Sequence, residues 1–244
     1  FVDADDKVSE NVFATIIRYM KENELDGYYF ASGRDENKLK EQRELFDIEK
    51  DTLICKTKGP GGIHGVVYKK SVLQENQISF NTSMVNTEDL LFNFYYTVST
   101  KKVGVTQVPF YYYRENNESV TRSLFKNRNS YGDLNSKEYK CYLSIFIFVQ
   151  KVKEYRENNP DTPLCDYLIS VMLGKIQWMG IRCFYEPKDV LNDIKEKGLT
   201  LNDIRLSQIK GKPFKQMVKS FINYSFKYPL IYKATSKIYR KMKS

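Results

Sequence analysis

The chain has 244 residues, 41% of them hydrophobic, with 19 Tyr and 15 Phe, which suits a folded protein with a real core and excludes a disordered one. Its net charge is +9, but eleven Lys or Arg and no Asp or Glu fall at 204–244, so residues 1–203 together carry −2 and the positive charge sits in a tail. Four scattered cysteines without a CxxC, and a single histidine, argue against a Cys/His zinc site, and no apolar run is long enough to span a membrane. The cysteines read as reduced, mostly buried thiols of a cytoplasmic protein.

Phe1-Val2 reads as the end of a buried strand, which puts Asp3, Asp5 and Asp6 in the turn before a helix. That helix spans Ser9 to Glu22, with Val12, Phe13, Ile16, Ile17 and Met20 at helical spacing and Ser9 as N-cap. "LDGYYFAS" is a turn and a strand, and "GRDENKLKEQRELFD" a charged surface excursion. "GPGGIHGVVYKKSVL" is a Gly-rich loop, a strand from His64 to Tyr68 and the start of a short helix. "ISF" is a short strand. "NTEDLLFNFYYTVST" is a helix capped by Asn86 or Thr87, with Glu88 and Asp89 in its first turn. "KKVGVTQVPFYYYREN" alternates like two strands broken at Pro109. From about Ser136 onward three helices follow, over "SKEYKCYLSIFIFVQKVKEYREN", "PLCDYLISVMLGKIQWMGIRCFYE" and "EPKDVLNDIKEKG". The tail adds one or two amphipathic helices interrupted at Pro213 and Pro229.

Three features carry chemistry. Open α/β sheets bind ligands beyond the carboxyl ends of their strands, and closely packed carboxylates there call for a cation or hydrogen-bond donors. Glu88-Asp89 sits where the helix dipole favours a carboxylate. Arg114 and Arg122 flank a polar turn. Each feature alone has a bland reading: a capping turn, a dipole pairing, a surface hairpin.

Together and in this order, "FVDADD", "GVVYKKSVL…ISF…NTEDLLFNFYY" and "VPFYYYRENNESVTR" resemble the second half of bacterial family 2 glycosyltransferases of the GT-A fold. The resemblance covers roughly residues 1–125. It implies an α/β fold: a partial GT-A, Rossmann-like sheet lacking its N-terminal nucleotide-binding half, then an α-helical C-terminal region. Residues 1–130 are expected to form the second half of the GT-A domain, and 131–244 the helical region with its basic tail. The chain is accordingly expected to be a fragment, inactive alone. The family implies transfer of a sugar from a nucleotide-sugar to a saccharide or polyprenyl-linked acceptor, with inversion, in capsule or other polysaccharide biosynthesis. It implies Mg²⁺ or Mn²⁺ on Asp3 and Asp5, and Asp89 as base with Glu88 as fallback. Arg114 and Arg122 would hold phosphate, since guanidinium matches phosphate oxygens in a fork. His64 would meet an acceptor hydroxyl.

The alternative is a non-enzymatic binding module, its aspartates serving as caps and its basic tail contacting anionic lipid or nucleic acid. The tail carries no helix-turn-helix, RNP or zinc-finger signature, which argues against base-specific nucleic-acid binding. Its apolar residues interleave with lysines from Phe221 to Tyr239, a pattern that suits peripheral contact at the inner face of the cytoplasmic membrane through residues 204–244.

Overall fold

The computed structural model describes residues 1–10, 12–34, 46–49, 62–114, 135–183 and 187–199, together with Tyr228, Ile231 and Ala234. They fall in two compact units, one formed by Phe1–Thr82 and Glu88–Ser119, the other by Ser83–Thr87 and Val120–Ser244. Apart from Tyr228, Ile231 and Ala234, the basic tail, with its proline breaks, and the charged excursion at 35–45 lie outside the described residues.

The first unit is built on a five-stranded sheet. Its strands are β1 (Lys7–Val8), β2 (Gly27–Gly33), β3 (Phe46–Glu49), β4 (Val66–Tyr68) and β5 (Lys102–Tyr112). The order is β1-β5-β2-β4, and β3 pairs with β5 beside β1. Strands β2 and β5 are parallel; the other pairings are antiparallel. Strand β5 is continuous across Pro109, where the sequence suggests two strands. It tolerates the proline because the β2 register shifts between Tyr29 and Ala31 and again between Ala31 and Ser32, and a bulge spares the ladder the missing N–H. Val108 N donates to Thr106 Oγ1 inside that irregularity (3.2 Å).

Alternation along β2 gives the sheet two apolar faces. On one, Tyr28 and Phe30 join Phe110 and Tyr111 under helix α1 (Val12–Glu22), whose Val12, Ile16 and Met20 point inward. On the other, Tyr29 gathers with Val66, Val103 and Val105. Helix α3 (Glu88–Ser99) reaches this second face through Thr97, whose Oγ1 lies 2.7 Å from the Tyr29 hydroxyl. The short α2 (Lys70–Glu75) links β4 towards α3.

Gly104 lies opposite Tyr28 in the β2–β5 pair. A Cβ there would come within 2.2 Å of the Tyr28 ring, and that ring is fully buried, with its hydroxyl donating to Val105 O (3.0 Å). Gly104→Ala is therefore expected to destabilise the fold by about 1–3 kcal/mol through overpacking. Urea unfolding of parent and variant measures this, and equal midpoints would contradict it.

Three local expectations give way. Phe1 and Val2 are exposed and belong to no strand; the first strand comes after the aspartates. Helix α1 starts at Val12, not Ser9. Ser9 N instead donates to Phe110 O (2.9 Å), which draws Ser9 towards β5, and its hydroxyl is buried without a partner among the described residues. "ISF" forms no strand; Phe80 stacks on Phe92 of α3 instead, at 4.5 Å and 12°.

The second unit contains α4 (Lys137–Asn158), α5 (Pro163–Cys183) and α6 (Pro187–Glu196), where the periodicity predicts three helices. Ser136 caps α4, its Oγ accepting from Tyr139 N (3.1 Å). Arg156 pairs with Asp166 at 2.8 Å, and Tyr142 donates to Asp193 (3.0 Å). Cys141 and Cys165 are free and buried; Cys55 and the side chain of Cys183 lie outside the described residues. No described helix is long and apolar enough to cross a membrane.

Candidate active site

The aspartate cluster is a β-turn, closed by Asp6 N donating to Asp3 O (3.1 Å). The turn lies against the end of β5 because β1 pairs there, Lys7 with Tyr112 and Val8 with Tyr111. The three aspartates separate by role. Asp6 is engaged on both oxygens: Tyr111 Oη donates to Oδ2 (2.6 Å) and Arg114 N to Oδ1 (2.8 Å). Asp5 is exposed, and its carboxylate has no partner among the described residues. Asp3 is half exposed and faces His64, with Oδ2 3.9 Å from Nδ1.

His64 sits in a 3₁₀ turn, Ile63–Gly65, one turn before β4 rather than inside a strand. Its ring stacks on Tyr111 at 5.3 Å and leans on Tyr113 at 5.9 Å. Nδ1 is buried with no hydrogen bond among the described residues. Arg114 is exposed; its backbone is tied to Asp6, and its guanidinium pairs with no described residue. Asp3, Asp6, His64, Tyr111 and Arg114 are thus one neighbourhood. Arg122 and residues 59–61 of the glycine loop lie outside the described residues.

The start of α3 supplies the other carboxylates. Among the described residues neither Asn86 nor Thr87 caps it by side chain: the Thr87 hydroxyl donates back to Asn86 O (2.5 Å), and Asp89 Oδ1 accepts from Leu90 N (2.7 Å). Thr87 has φ 67°, a left-handed conformation costing a β-branched residue on the order of 1–2 kcal/mol. Glu88 Oε2 is buried without a hydrogen-bond partner among the described residues.

Aromatic packing ties the two halves together. The Phe1 ring meets Tyr68 at 5.5 Å and Phe80 and Phe92 at 5.7 Å. Tyr68 donates to Asn93 Oδ1, one turn along α3 from Asp89. Burial first, then the neighbouring Tyr29 and Tyr96, and then the Asp89 charge hold the Tyr68 phenol well above its ordinary pKa. Asp89 therefore lies within electrostatic reach of a ring that Phe1 touches, two residues before Asp3. Sequence reasoning missed Tyr68, Asn93 and Tyr111, since a tyrosine in a run of aromatics carries no mark of the bond it makes.

Among the described residues no three His, Cys, Asp or Glu side chains gather closely enough to hold a metal by themselves. Asp3 and Asp5 are a donor set of two hard oxygens left open once Asp6 is engaged. That suits a Mg²⁺- or Mn²⁺-like ion that draws its other ligands from substrate phosphates and water.

Comparison with known proteins defines the class of fold first. The chain matches part of the fold of S. aureus TarS. It covers 99% of this chain and 67% of TarS 1-349 in complex with UDP-GlcNAc, with a TM-score of 0.59 at 15% identity. The UDP complex of the same TarS segment gives a TM-score of 0.56 at 14% identity, over 99% of this chain and 66% of that one. By sequence, the chain is 25% identical over 162 residues to the poly(ribitol-phosphate) beta-N-acetylglucosaminyltransferase TarP of Staphylococcus aureus (strain N315), covering 64% of this chain and 50% of TarP. The chain thus spans about half the length of that relative. No family model matches it.

Proposed function

We propose that this chain carries the metal-binding and acceptor-activating part of a family 2-type glycosyltransferase. The enzyme transfers a sugar from a nucleotide-sugar to a saccharide, polyol-phosphate or lipid-linked hydroxyl, with inversion. The reading is supported by the shared fold with TarS, solved with UDP-GlcNAc, and by sequence similarity to TarP, a beta-N-acetylglucosaminyltransferase. UDP-GlcNAc is accordingly the first donor to test. The observation that carries the reading is the packing of Phe1 on Tyr68 and Phe92, which draws the aspartate turn towards the start of α3.

In this reading Asp3 and Asp5 hold a divalent cation, which offsets the negative charge that develops on the leaving diphosphate. Arg114 adds a second positive charge beside the turn. Asp89 takes the proton of the acceptor hydroxyl. The acceptor oxygen forms its bond to the anomeric carbon as the bond from that carbon to the nucleoside diphosphate breaks, the electron pair leaving with the diphosphate. A base has to lie within hydrogen-bond reach of the hydroxyl it activates, and half-buried Asp89 stands one turn along α3 from Asn93, which accepts from Tyr68. His64 donates or accepts at the acceptor or phosphate.

The test is UDP release by the full-length protein from UDP-GlcNAc with Mn²⁺ and polyol-phosphate or oligosaccharide acceptors. Acceptor-dependent release abolished by chelator is the expected result. No release from UDP-, GDP- or dTDP-sugars across those acceptors would overturn the reading.

A further inference from the structure

The turn that bears Asp3 and Asp5 has little of its own to hold it. It is four residues long, and one backbone hydrogen bond closes it. Its two metal-facing carboxylates make no hydrogen bond among the described residues, so their direction is set by whatever fixes the turn's ends. Both ends run to one atom. Asp3 N donates to Tyr111 Oη (3.1 Å), and Tyr111 Oη donates to Asp6 Oδ2 (2.6 Å). Arg114 N holds the other Asp6 oxygen. Tyr111 is fully buried. Its backbone is locked in β5 by pairing with Val8 on one side and Ser32 on the other, and the His64 ring covers it.

The geometry points to Tyr111 as the positioning residue of the metal site: its buried hydroxyl bridges both ends of the Asp3–Asp6 turn and so aims the Asp3 and Asp5 carboxylates at one cation. The inference rests on the proposed metal role of those two aspartates. A carboxylate that accepts a fixed hydrogen bond holds its orientation without spending its neighbours' oxygens, and losing such outer partners costs metal sites about 10–100-fold in affinity.

Tyr111→Phe keeps the ring, its packing and the β1–β5 ladder, and removes only the bridge. The exposed side of Asp6 leaves water free to take the vacated oxygen, so the fold should survive. The experiment titrates the full-length protein with Mn²⁺, following free Mn²⁺ by electron paramagnetic resonance, alongside thermal unfolding and UDP release. Tyr111→Phe is expected to raise the Mn²⁺ dissociation constant about tenfold or more. The unfolding midpoint should change little, and raising Mn²⁺ in proportion should restore most of the turnover. An unchanged Mn²⁺ constant, or a turnover loss that added Mn²⁺ does not rescue, would overturn the inference. If Tyr111→Phe unfolds early, Asp6→Ala carries the same test, because it breaks the bridge from the solvent side. Mn²⁺ binding that survives in Asp5→Asn would instead overturn the metal assignment beneath it, and so keeps the two failures apart.

Discussion

Asp89→Asn should lower kcat by roughly 10²–10⁴-fold, the usual contribution of a positioned general base, while Mn²⁺ and donor binding stay near parental values. The substitution is mild for the fold. Asp89 Oδ1 accepts from Leu90 N (2.7 Å), and the carbonyl oxygen of an asparagine can keep that bond. What disappears is the ability to take a proton. Because the base acts on the acceptor alone, the loss should fall on kcat and on kcat/KM for acceptor, leaving donor affinity untouched. Glu88→Gln is the companion experiment. Glu88 Oε2 is buried without a partner among the described residues, so a full loss in Glu88→Gln with a nearly active Asp89→Asn would transfer the base to Glu88.

The second large effect is expected at Asp5. Its carboxylate is exposed and without a partner among the described residues, so Asp5→Asn breaks no described contact and should leave the unfolding midpoint within experimental error. Charge on a leaving diphosphate needs a fixed counter-charge, and losing one such stabilising group costs roughly 10²–10³-fold in rate. Turnover in Asp5→Asn should fall by at least that order and lose its sensitivity to chelator. Activity equal to the parent, still quenched by chelator, would show that the cation sits elsewhere. Asp6→Asn should differ in kind: with Tyr111 and Arg114 N on its two oxygens, it disturbs the turn and weakens metal binding without removing a ligand.

Much of this was legible in the sequence, for identifiable reasons. Helices α4 to α6 stand on long periodic stretches with readable ends. Ser136 caps α4, and Gly198, at φ 65°, ends α6 with Leu199 N reaching back to Ile194 O (2.9 Å). The same stop follows α1 and α2 but falls on Glu24 and Gln77, at φ 53° and 51°. Their signature bonds, Leu25 N to Met20 O (2.8 Å) and Ile78 N to Leu73 O (2.9 Å), carry no glycine to announce them. Strand β2 was legible as a β-rich run after a turn. Phe1-Val2 misleads because two apolar residues fit a strand or an aromatic contact equally well, and the contact of Phe1 with Tyr68, Phe80 and Phe92 is long-range.

The candidate site divides along the same line. Charged residues in a compact pattern drew attention to Asp3, Asp5, Glu88, Asp89 and Arg114. The neutral groups around them, Tyr111 bonded to the aspartate turn and Tyr68 bonded to Asn93, take their places only once β1 pairs with β5 and β4 meets α3. Asp6 shows the limit most clearly. The DxD spacing already separates it from Asp3 and Asp5, but its partners, the Tyr111 hydroxyl and Arg114 N, appear only in the fold.

If Asp3 and Asp5 bind a divalent cation beside a nucleotide diphosphate, they do so in the same cleft as Asp89. Anomalous diffraction at the manganese edge, from crystals of the full-length protein grown with UDP and Mn²⁺, tests it most directly. One anomalous peak is expected between the Asp3 and Asp5 carboxylates and the UDP diphosphate, with the Asp89 carboxylate opening onto the same cleft. A peak held by other residues, or UDP bound with Asp3 and Asp5 remote from its phosphates, would contradict it.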